Sequence, residues 1–232
     1  MKLSYLAPLA LFAVACTANT VVTDPNGGSS GSSGTPQDRG VEGGEQNPTT
    51  APDTNPNGVP YPTQGIGTTV GAVIQNYKFL GYPDGDPSKG LQPMSLAQYF
   101  DPTATKYKMI HVQASGSWCT YCRSETRMVI PLKPQLEQRK VLWVVSLAEG
   151  TVQGTPSTKD DLDKWITTFK WDAPHLLDSG NKNFGPFYDA AALPWNVNID
   201  VKTMKILSSG VGAPQTEKAL LDDLDAQLKK IP

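Results

Sequence analysis

The sequence predicts an α/β fold with a central mixed sheet flanked by helices. Segments of strand character alternate with segments of helical periodicity, which is typical of α/β sandwiches. A near-continuous apolar run at 141–148 is typical of a strand that is covered on both faces. Two cysteines three residues apart, Cys119 and Cys122, follow a predicted strand and open a predicted helix. We therefore place the cysteine pair at the junction between the sheet and a helix.

The predicted elements begin near residue 70, where the composition changes. Alternating apolar residues over 70–80 predict one or two short strands, and Ser95 is a candidate cap for a short helical turn. The further predicted elements are a strand at 107–114, a helix from 123 that Pro131 interrupts, a strand at 141–148, a helix with Leu162, Trp165, Ile166 and Phe169 on its apolar face and Ser157 or Thr158 as its cap, a strand at 175–177, a proline-initiated strand ending at Asp200 with a hairpin partner at 205–208, and a closing helix over 215–229.

Alternation along the strand at 107–114 divides its side chains between two faces. Ile110, Val112 and Ala114 are expected on one face. Met109, His111 and Gln113 are expected on the other. We interpret His111 as a buried residue under the sheet.

The overall composition argues against a nucleic-acid partner. The 232 residues include 20 basic and 22 acidic side chains, for a formal net charge of −2. Neither a basic surface for nucleic acid nor a basic membrane face is indicated. Only three cysteines are present, at 16, 119 and 122, so Cys119 and Cys122 have only each other once Cys16 is assigned elsewhere.

The N-terminus predicts a secretory leader over residues 1–16. Its apolar run of about a dozen residues is too short for a bilayer, which needs about 20. Small residues before Cys16 resemble the bacterial lipobox, which predicts that Cys16 receives lipid and becomes the mature N-terminus. The alternative is an ordinary signal peptide with a chance cysteine. Thr17 after the cysteine resembles the pattern for outer-membrane sorting.

Residues 17–66 predict a flexible tether. The segment is rich in Gly, Ser, Pro, Asn and Thr and has few side chains that could build a core. The predicted globular domain is 67–232.

The cysteine motif predicts disulfide chemistry. Two cysteines at i and i+3 at the start of a helix lie close enough to be bridged. Cys119 would sit at the positive end of the helix dipole, which favours a thiolate, and we expect its sulfur to be exposed. A thiolate is the attacking species in disulfide exchange, with Cys122 as the resolving partner. Trp118 and Tyr121 flank the pair and would form an apolar rim, although either could simply pack.

Two other interpretations of the cysteines are weaker. A bridge across so short a loop would add little stability, because the entropic gain grows with loop length. A zinc site needs four ligands, and only His111 and His175 are available to complete it. The sequence therefore indicates no metal site and no cofactor.

These features together resemble the thioredoxin superfamily, and within it the TlpA/ResA-like thiol–disulfide oxidoreductases of the bacterial envelope. The resemblance covers about residues 70–230 and rests on the Trp118–Cys122 motif, an N-terminal strand extension, a strand–helix–strand insertion at 141–177, and Leu193–Pro194 before Asp200. It implies a thioredoxin-like sandwich. It also implies that Pro194 follows a cis peptide bond, packs against the disulfide and, with Leu193, contributes to substrate binding.

Two residues depart from the thioredoxin pattern. Gln113 stands where thioredoxin has a buried acid, and Gln cannot move protons. Glu125 matches a glutamate that TlpA/ResA-like proteins often carry, so we hypothesise that it assists proton transfer at the pair. The alternative is a solvated residue that the helix dipole favours in the first turn. Leu193 is larger than usual before this proline, which bears on substrate choice.

The sequence therefore predicts a lipid-anchored, periplasm-facing protein thiol–disulfide oxidoreductase. Its partners would be protein disulfides or dithiols and an upstream redox protein. The Thr120–Tyr121 dipeptide lacks the histidine that favours a strong oxidant, and the resemblance, which includes cytochrome c maturation proteins, also favours a reductant. The alternative is a binding module, or a metallochaperone, that recognises a partner at the Pro194 groove.

Overall fold

The computed structural model describes residues 48–188 and 192–232. Its strands are β1 (Lys78–Tyr82), β2 (Gln92–Ser95), β3 (Met109–Gly116), β4 (Val141–Glu149), β5 (His175–Leu177), β6 (Trp195–Asp200) and β7 (Ile206–Val211). Its α-helices are α1 (Thr120–Val129), α2 (Lys133–Gln138), α3 (Lys159–Phe169) and α4 (Glu217–Leu228). A search of the described residues finds no helix that is long and apolar enough to cross a bilayer.

The strands form one mixed sheet in the order β2-β1-β5-β4-β3-β6-β7. Parallel pairs join β3 to β4 and β4 to β5. The other neighbours are antiparallel, including β6, which pairs with both β3 and β7. The predicted mixed sheet flanked by helices is therefore confirmed. Because β3 lies near the centre, the residues that follow it enter α1 from the middle of the fold.

Two hydrophobic cores lie on opposite faces of the sheet, as the alternation along β3 predicts. Ile110, Val112 and Ala114 belong to one core, together with the large rings of Phe184 and Trp195. Met109 belongs to the other core, which contains both cysteines of the motif and the buried residues of α1, α3 and α4. The cysteines thus lie on the helical face of the sheet that also carries His111 and Gln113.

Local sequence signals account for several element boundaries. Thr158 caps α3 and exchanges hydrogen bonds with Asp161, and Ser95 caps a 3₁₀ turn at Leu96–Tyr99. Pro131 lies in a 3₁₀ turn, Ile130–Leu132, that separates α1 from α2. These predictions are confirmed.

The N-terminal strand extension differs from the prediction. Within 70–80, regular strand structure begins only at Lys78, while Val73 forms isolated bridges to Ile66 and Lys205. Strand β2 was not predicted, because Pro93 within it is unusual for a strand. The structure places β2 at the edge of the sheet, where a residue without a backbone N–H is tolerated.

Part of the predicted tether packs on the domain. Ala51, Asn55 and Tyr61 are buried. Asn55 Nδ2 donates a hydrogen bond to the carbonyl of Phe100 over 3.0 Å, and the Tyr61 hydroxyl donates to the carbonyl of Ile74 over 2.7 Å. The predicted boundary at residue 66 is therefore too late, because these few side chains find partners on the domain surface. The leader, Cys16 and residues 17–47 lie outside the described residues.

Candidate active site

Cys119 and Cys122 are joined by a disulfide at the start of α1, with a Cα–Cα distance of 5.3 Å. Cys119 is the N-cap residue of α1, and the backbone N–H of Cys122 donates to its Sγ over 3.1 Å. An amide N–H aimed at sulfur stabilises negative charge there, in the same sense as the helix dipole. The helix terminus therefore favours the thiolate of Cys119 once the disulfide is reduced.

The disulfide is covered, contrary to the expected exposure of the sulfur of Cys119. Cys119 is only 1% exposed, and the half-buried side chains of Trp118 and Leu193 pack against the core that contains it. These two side chains also meet over Gly116, where a Cβ would lie 2.8 Å from Trp118 Nε1 and 3.2 Å from Leu193 Cδ1. The next residue, Thr120, is exposed. Trp118 and Leu193 are therefore the candidates for an apolar cover over the bond.

Glu149, at the end of β4, holds one half of this cover. Its Oε2 accepts hydrogen bonds from Trp118 Nε1 over 2.5 Å and from the backbone N–H of Gly154 over 2.9 Å. The carboxyl is buried, so these contacts are little screened by water. Sequence reasoning missed Glu149, although a charged residue that ends an otherwise apolar strand was a visible signal.

The peptide bond between Leu193 and Pro194 is cis, as the resemblance implied. The carbonyl of Pro194 accepts a hydrogen bond from the N–H of Gly212 over 2.8 Å. Leu193 packs against the core that contains both cysteines, and also against the core on the other face of the sheet. A role for Leu193 and Pro194 in substrate binding stays a prediction.

Glu125 is buried on α1, three residues after Cys122 and so on the same side of the helix. Its side chain is 1% exposed, which makes the solvated alternative wrong. Asn196 Nδ2 donates to its Oε1 over 3.0 Å, while Oε2 is buried without a hydrogen-bond partner among the described residues. Burial raises the pKa of Glu125 to about 8, against the smaller opposing effect of Asn196. The carboxyl can therefore take or give a proton near neutral pH.

Gln113 is fully engaged in hydrogen bonds beneath α1. Its Nε2 donates to the carbonyl of Cys122 over 3.1 Å and to Thr126 Oγ1 over 3.2 Å, and its Oε1 accepts from Trp143 Nε1 over 3.1 Å. As expected from its amide, it offers no titratable group. Glu125 is thus the buried acid on this side of the cysteine pair.

Several solved structures have a fold similar to that of this chain. A protein assigned as the thiol:disulfide interchange protein DsbE from Chlorobium tepidum superposes with a TM-score of 0.52 at 15% identity, covering 70% of this chain and 99% of that one. A DsbF homologue from Corynebacterium diphtheriae gives 0.51 at 18% identity, covering 72% and 97%. The chain has the thioredoxin fold. No protein-family model matches the sequence, and no curated protein matches it in sequence.

The thioredoxin fold alone does not specify the reaction. A reduced 2-Cys peroxiredoxin from Plasmodium vivax superposes as well, with a TM-score of 0.51 at 16% identity, covering 69% of this chain and 97% of that one. At such low identity the likeness extends to the fold, and the chemistry has to be argued from the side chains described above.

The remaining predicted residues occupy different places around the thioredoxin-fold site. Tyr121 is 68% exposed beside the pair, so it is available at the rim. His111 and His175 are both buried, on β3 and β5, as predicted. Within 48–188 and 192–232 no three His, Cys, Asp or Glu side chains cluster as metal ligands. Sequence reasoning also missed Asn196, whose contact with Glu125 spans 71 residues of chain.

Proposed function

We propose that the protein is a thiol–disulfide oxidoreductase that exchanges disulfides with other proteins through Cys119 and Cys122. The observation that carries the proposal is the disulfide at the N-terminus of α1, with a buried carboxyl of raised pKa on the same helix face. The cis Pro194 segment beside the bond supports it. The Chlorobium protein of similar fold is named for thiol:disulfide interchange, which agrees with this chemistry.

In the reducing direction, the thiolate of Cys119 attacks a substrate disulfide. One substrate sulfur leaves as a thiolate and the other forms a mixed disulfide with Cys119. Cys122 then loses its proton to the Glu125 carboxylate and attacks Cys119 Sγ, which releases the second substrate sulfur. The substrate gains two electrons and becomes a dithiol, while the protein is left with its internal disulfide. A carboxyl with a pKa of about 8 suits this transfer, because it approaches the pKa of a thiol.

Access to the bond requires the cover to open. Trp118 and Leu193 leave Cys119 1% exposed, so a protein substrate has to displace at least one of them before its sulfur can reach Sγ. The substrate would then extend along the Pro194 segment, with Trp118, Tyr121 and Leu193 forming the apolar contact surface.

We propose the reducing direction and an envelope location. The Thr120–Tyr121 dipeptide has no histidine to stabilise the thiolate further, which favours a reductant. A lipid on Cys16 would anchor the chain on the periplasmic side of a membrane, with outer-membrane sorting suggested by Thr17. Protein disulfides, including those of cytochrome c maturation, would be the substrates, and an upstream dithiol protein would return the electrons.

The burial of Cys119 favours one competing function, a binding module that keeps its disulfide as a structural element. Such a module would recognise a partner at the Pro194 groove with its cover closed. It would form no covalent bond to the partner.

Trapping separates the two functions. Cys122→Ser retains the attacking thiol and removes the resolving one, so the oxidoreductase is expected to accumulate mixed disulfides through Cys119. They are detected by non-reducing gels and mass spectrometry of envelope extracts. Cys119→Ser is the matched control and should form none. Partners that co-purify with both variants, without a covalent bond, would contradict the enzyme and support the module.

A further inference from the structure

Side chains on four neighbouring strands form a chain of contacts, which we call the ladder, that reaches Glu125 through Asn196. His111 of β3 stacks on Trp143 of β4, with ring centroids 3.8 Å apart. Its Nδ1 lies 2.8 Å from Oδ1 of Asn198 on β6, and Asn198 Nδ2 lies 2.9 Å from Ser208 Oγ on β7. Burying polar groups is costly unless they are paired. Beside the hydrophobic core on this face, the sheet therefore also holds a specific polar network.

Asn196 joins the ladder to Glu125, and its orientation is fixed. Its Nδ2 donates to Glu125 Oε1 over 3.0 Å and to the carbonyl of Gly212 over 3.1 Å. A backbone carbonyl only accepts hydrogen bonds, so the amide cannot be reversed without losing this contact. Asn196 Oδ1 consequently faces His111 Nε2 at 3.1 Å, and Nε2 must carry the hydrogen.

The other side of His111 adapts to this requirement. A neutral imidazole with its hydrogen on Nε2 accepts at Nδ1. Asn198 meets this need if its amide is turned over, so that Nδ2 donates to Nδ1 of His111 and Oδ1 faces Ser208. The Ser208 hydroxyl permits this exchange because it can donate a hydrogen bond as well as accept one. Burial lowers the pKa of His111, and the hydrogen bonds with Asn198 and Asn196 and the charge of Asp223 on α4 oppose this more weakly, so the neutral form is favoured. His111 thus acts as a fixed donor to Asn196.

The same residues line a cleft of about 390 Å³ between β7 and α4. His111, Glu125 and Asn196 contribute to it, and Asp223 is the other titratable residue among the described groups that line it. The two side chains that cover the disulfide do not line this cleft. The Glu125 carboxyl therefore approaches solvent by a route separate from the substrate-facing cover.

We propose that His111 and Asn196 are positioning residues for the Glu125 carboxyl, and that the proton Glu125 takes from Cys122 leaves through this cleft. The proposal rests on the role given to Glu125 above. The Cys122 thiol gives its proton to the carboxylate, and the resulting carboxylic acid gives it to water in the cleft. No electrons move in these two steps, and the carboxylate is regenerated.

Carbon-13 NMR of glutamate-labelled, disulfide-bonded protein tests the positioning role directly. Glu125→Gln assigns the carboxyl signal, which is expected to titrate near pH 8 in the wild type. Asn196→Leu and His111→Leu should raise the midpoint by about one pH unit, because the carboxylate loses or loosens a hydrogen bond. His111→Gln retains an N–H donor and should return the midpoint towards the wild type.

Ser209→Ala is the matched control, because Ser209 follows Ser208 on β7 but its hydroxyl accepts a hydrogen bond from Trp195, which packs in the core on the opposite face. It should leave the midpoint unchanged. Wild-type titration in both leucine variants would overturn the proposal. The measurement uses the oxidised protein, so it is independent of activity, whereas failure of the proposed function would appear as absent trapping adducts.

Kinetics test the proton route. Stopped-flow reaction of the reduced protein with oxidised glutathione separates mixed-disulfide formation from resolution by Cys122. The pH midpoint of the resolving step should move upward in His111→Leu together with the carboxyl midpoint. A carboxyl shift without a shift of the resolving step would overturn the route through Glu125.

Discussion

Two buried carboxyls belong to residues near the cysteine motif or in contact with it. Glu149 accepts a hydrogen bond from the indole of Trp118, and Glu125 lies on α1 three residues after Cys122. Both carboxyls are buried, but they differ in the number of hydrogen-bond donors that contact them. Glu149 Oε2 receives two N–H donors, whereas Glu125 has one donor on Oε1 and none among the described residues on Oε2. Glu149 Oε2 is thus engaged by two donors, whereas burial raises the pKa of Glu125.

Removing the Glu149 carboxyl should loosen the cover. In Glu149→Ala, Trp118 Nε1 loses its acceptor, and a charged hydrogen bond contributes about 1.5–3 kcal/mol. The open form should become at least about tenfold more populated, since about 1.4 kcal/mol is a factor of ten, and reduction of the disulfide by dithiothreitol should accelerate by a similar factor. Stopped-flow tryptophan fluorescence measures it. The exposed Glu137→Ala is the control, and an unchanged rate in Glu149→Ala would show that Trp118 does not limit access.

At the scale of elements, short sequence patterns predict those helices whose position depends on interactions between residues close in sequence. The apolar spacing in α3, its capping residue and the proline between α1 and α2 all act within a few residues, and these elements occur where the sequence places them. Strand β2 could not be found in this way. Its Pro93 is compatible with a strand because β2 lies at the edge of the sheet, where a residue without a backbone N–H is tolerated. The position of a strand within the sheet depends on tertiary contacts, which the local sequence does not show.

The cap of α3 gives a prediction at this scale. Thr158 Oγ1 accepts from the N–H of Asp161 over 3.2 Å, and Asp161 Oδ2 accepts from the N–H of Thr158 over 3.0 Å. Thr158→Ala leaves a helix N–H without its acceptor and should lower the free energy of unfolding by about 1 kcal/mol. Thr158→Ser keeps the acceptor and should lose only a fraction of that. Urea denaturation measures both, and equal losses would show that packing, not capping, fixes the start of α3.

At the scale of the whole molecule, the candidate site combines residues that are distant in sequence. The cysteine motif and Glu125 were identifiable from spacing and resemblance alone. Their surroundings were not, because Glu125 is hydrogen-bonded to Asn196, and Leu193 packs against the core that contains Cys119, both from far along the chain. Asn55 and Tyr61 likewise pack through contacts with residues elsewhere in the chain, the carbonyls of Phe100 and Ile74. Long-range packing therefore decides the charge state and accessibility of groups whose identity the motif reveals.

Two buried titratable groups give the molecule an expected pH dependence of stability. Burial raises the pKa of Glu125 from 4.5 to about 8, so the folded state favours its neutral form. This stability is fully present below about pH 4.5 and is lost as the pH rises towards 8. Burial also lowers the pKa of His175 from 6.5 to about 4, while its ring contacts the carbonyl of Ala173 at 2.7 Å through Nδ1. The stability that depends on neutral His175 is present above pH 6.5 and is lost as the pH falls towards 4.

The two dependences oppose each other between about pH 4.5 and 6.5, so the fall in stability should become visible above that range. Each pH unit corresponds to about 1.4 kcal/mol for one proton, so the free energy of unfolding of the oxidised protein should fall by about 2 kcal/mol between pH 6.5 and 8. Glu125→Gln cannot ionise and should abolish that fall while keeping the loss of stability in acid. Urea denaturation at pH 5, 6.5 and 8 measures both curves. A wild-type stability that stays constant from pH 6.5 to 8 would mean that Glu125 ionises in the folded protein as readily as in the unfolded chain, and its part in accepting a proton from Cys122 would lose its physical basis.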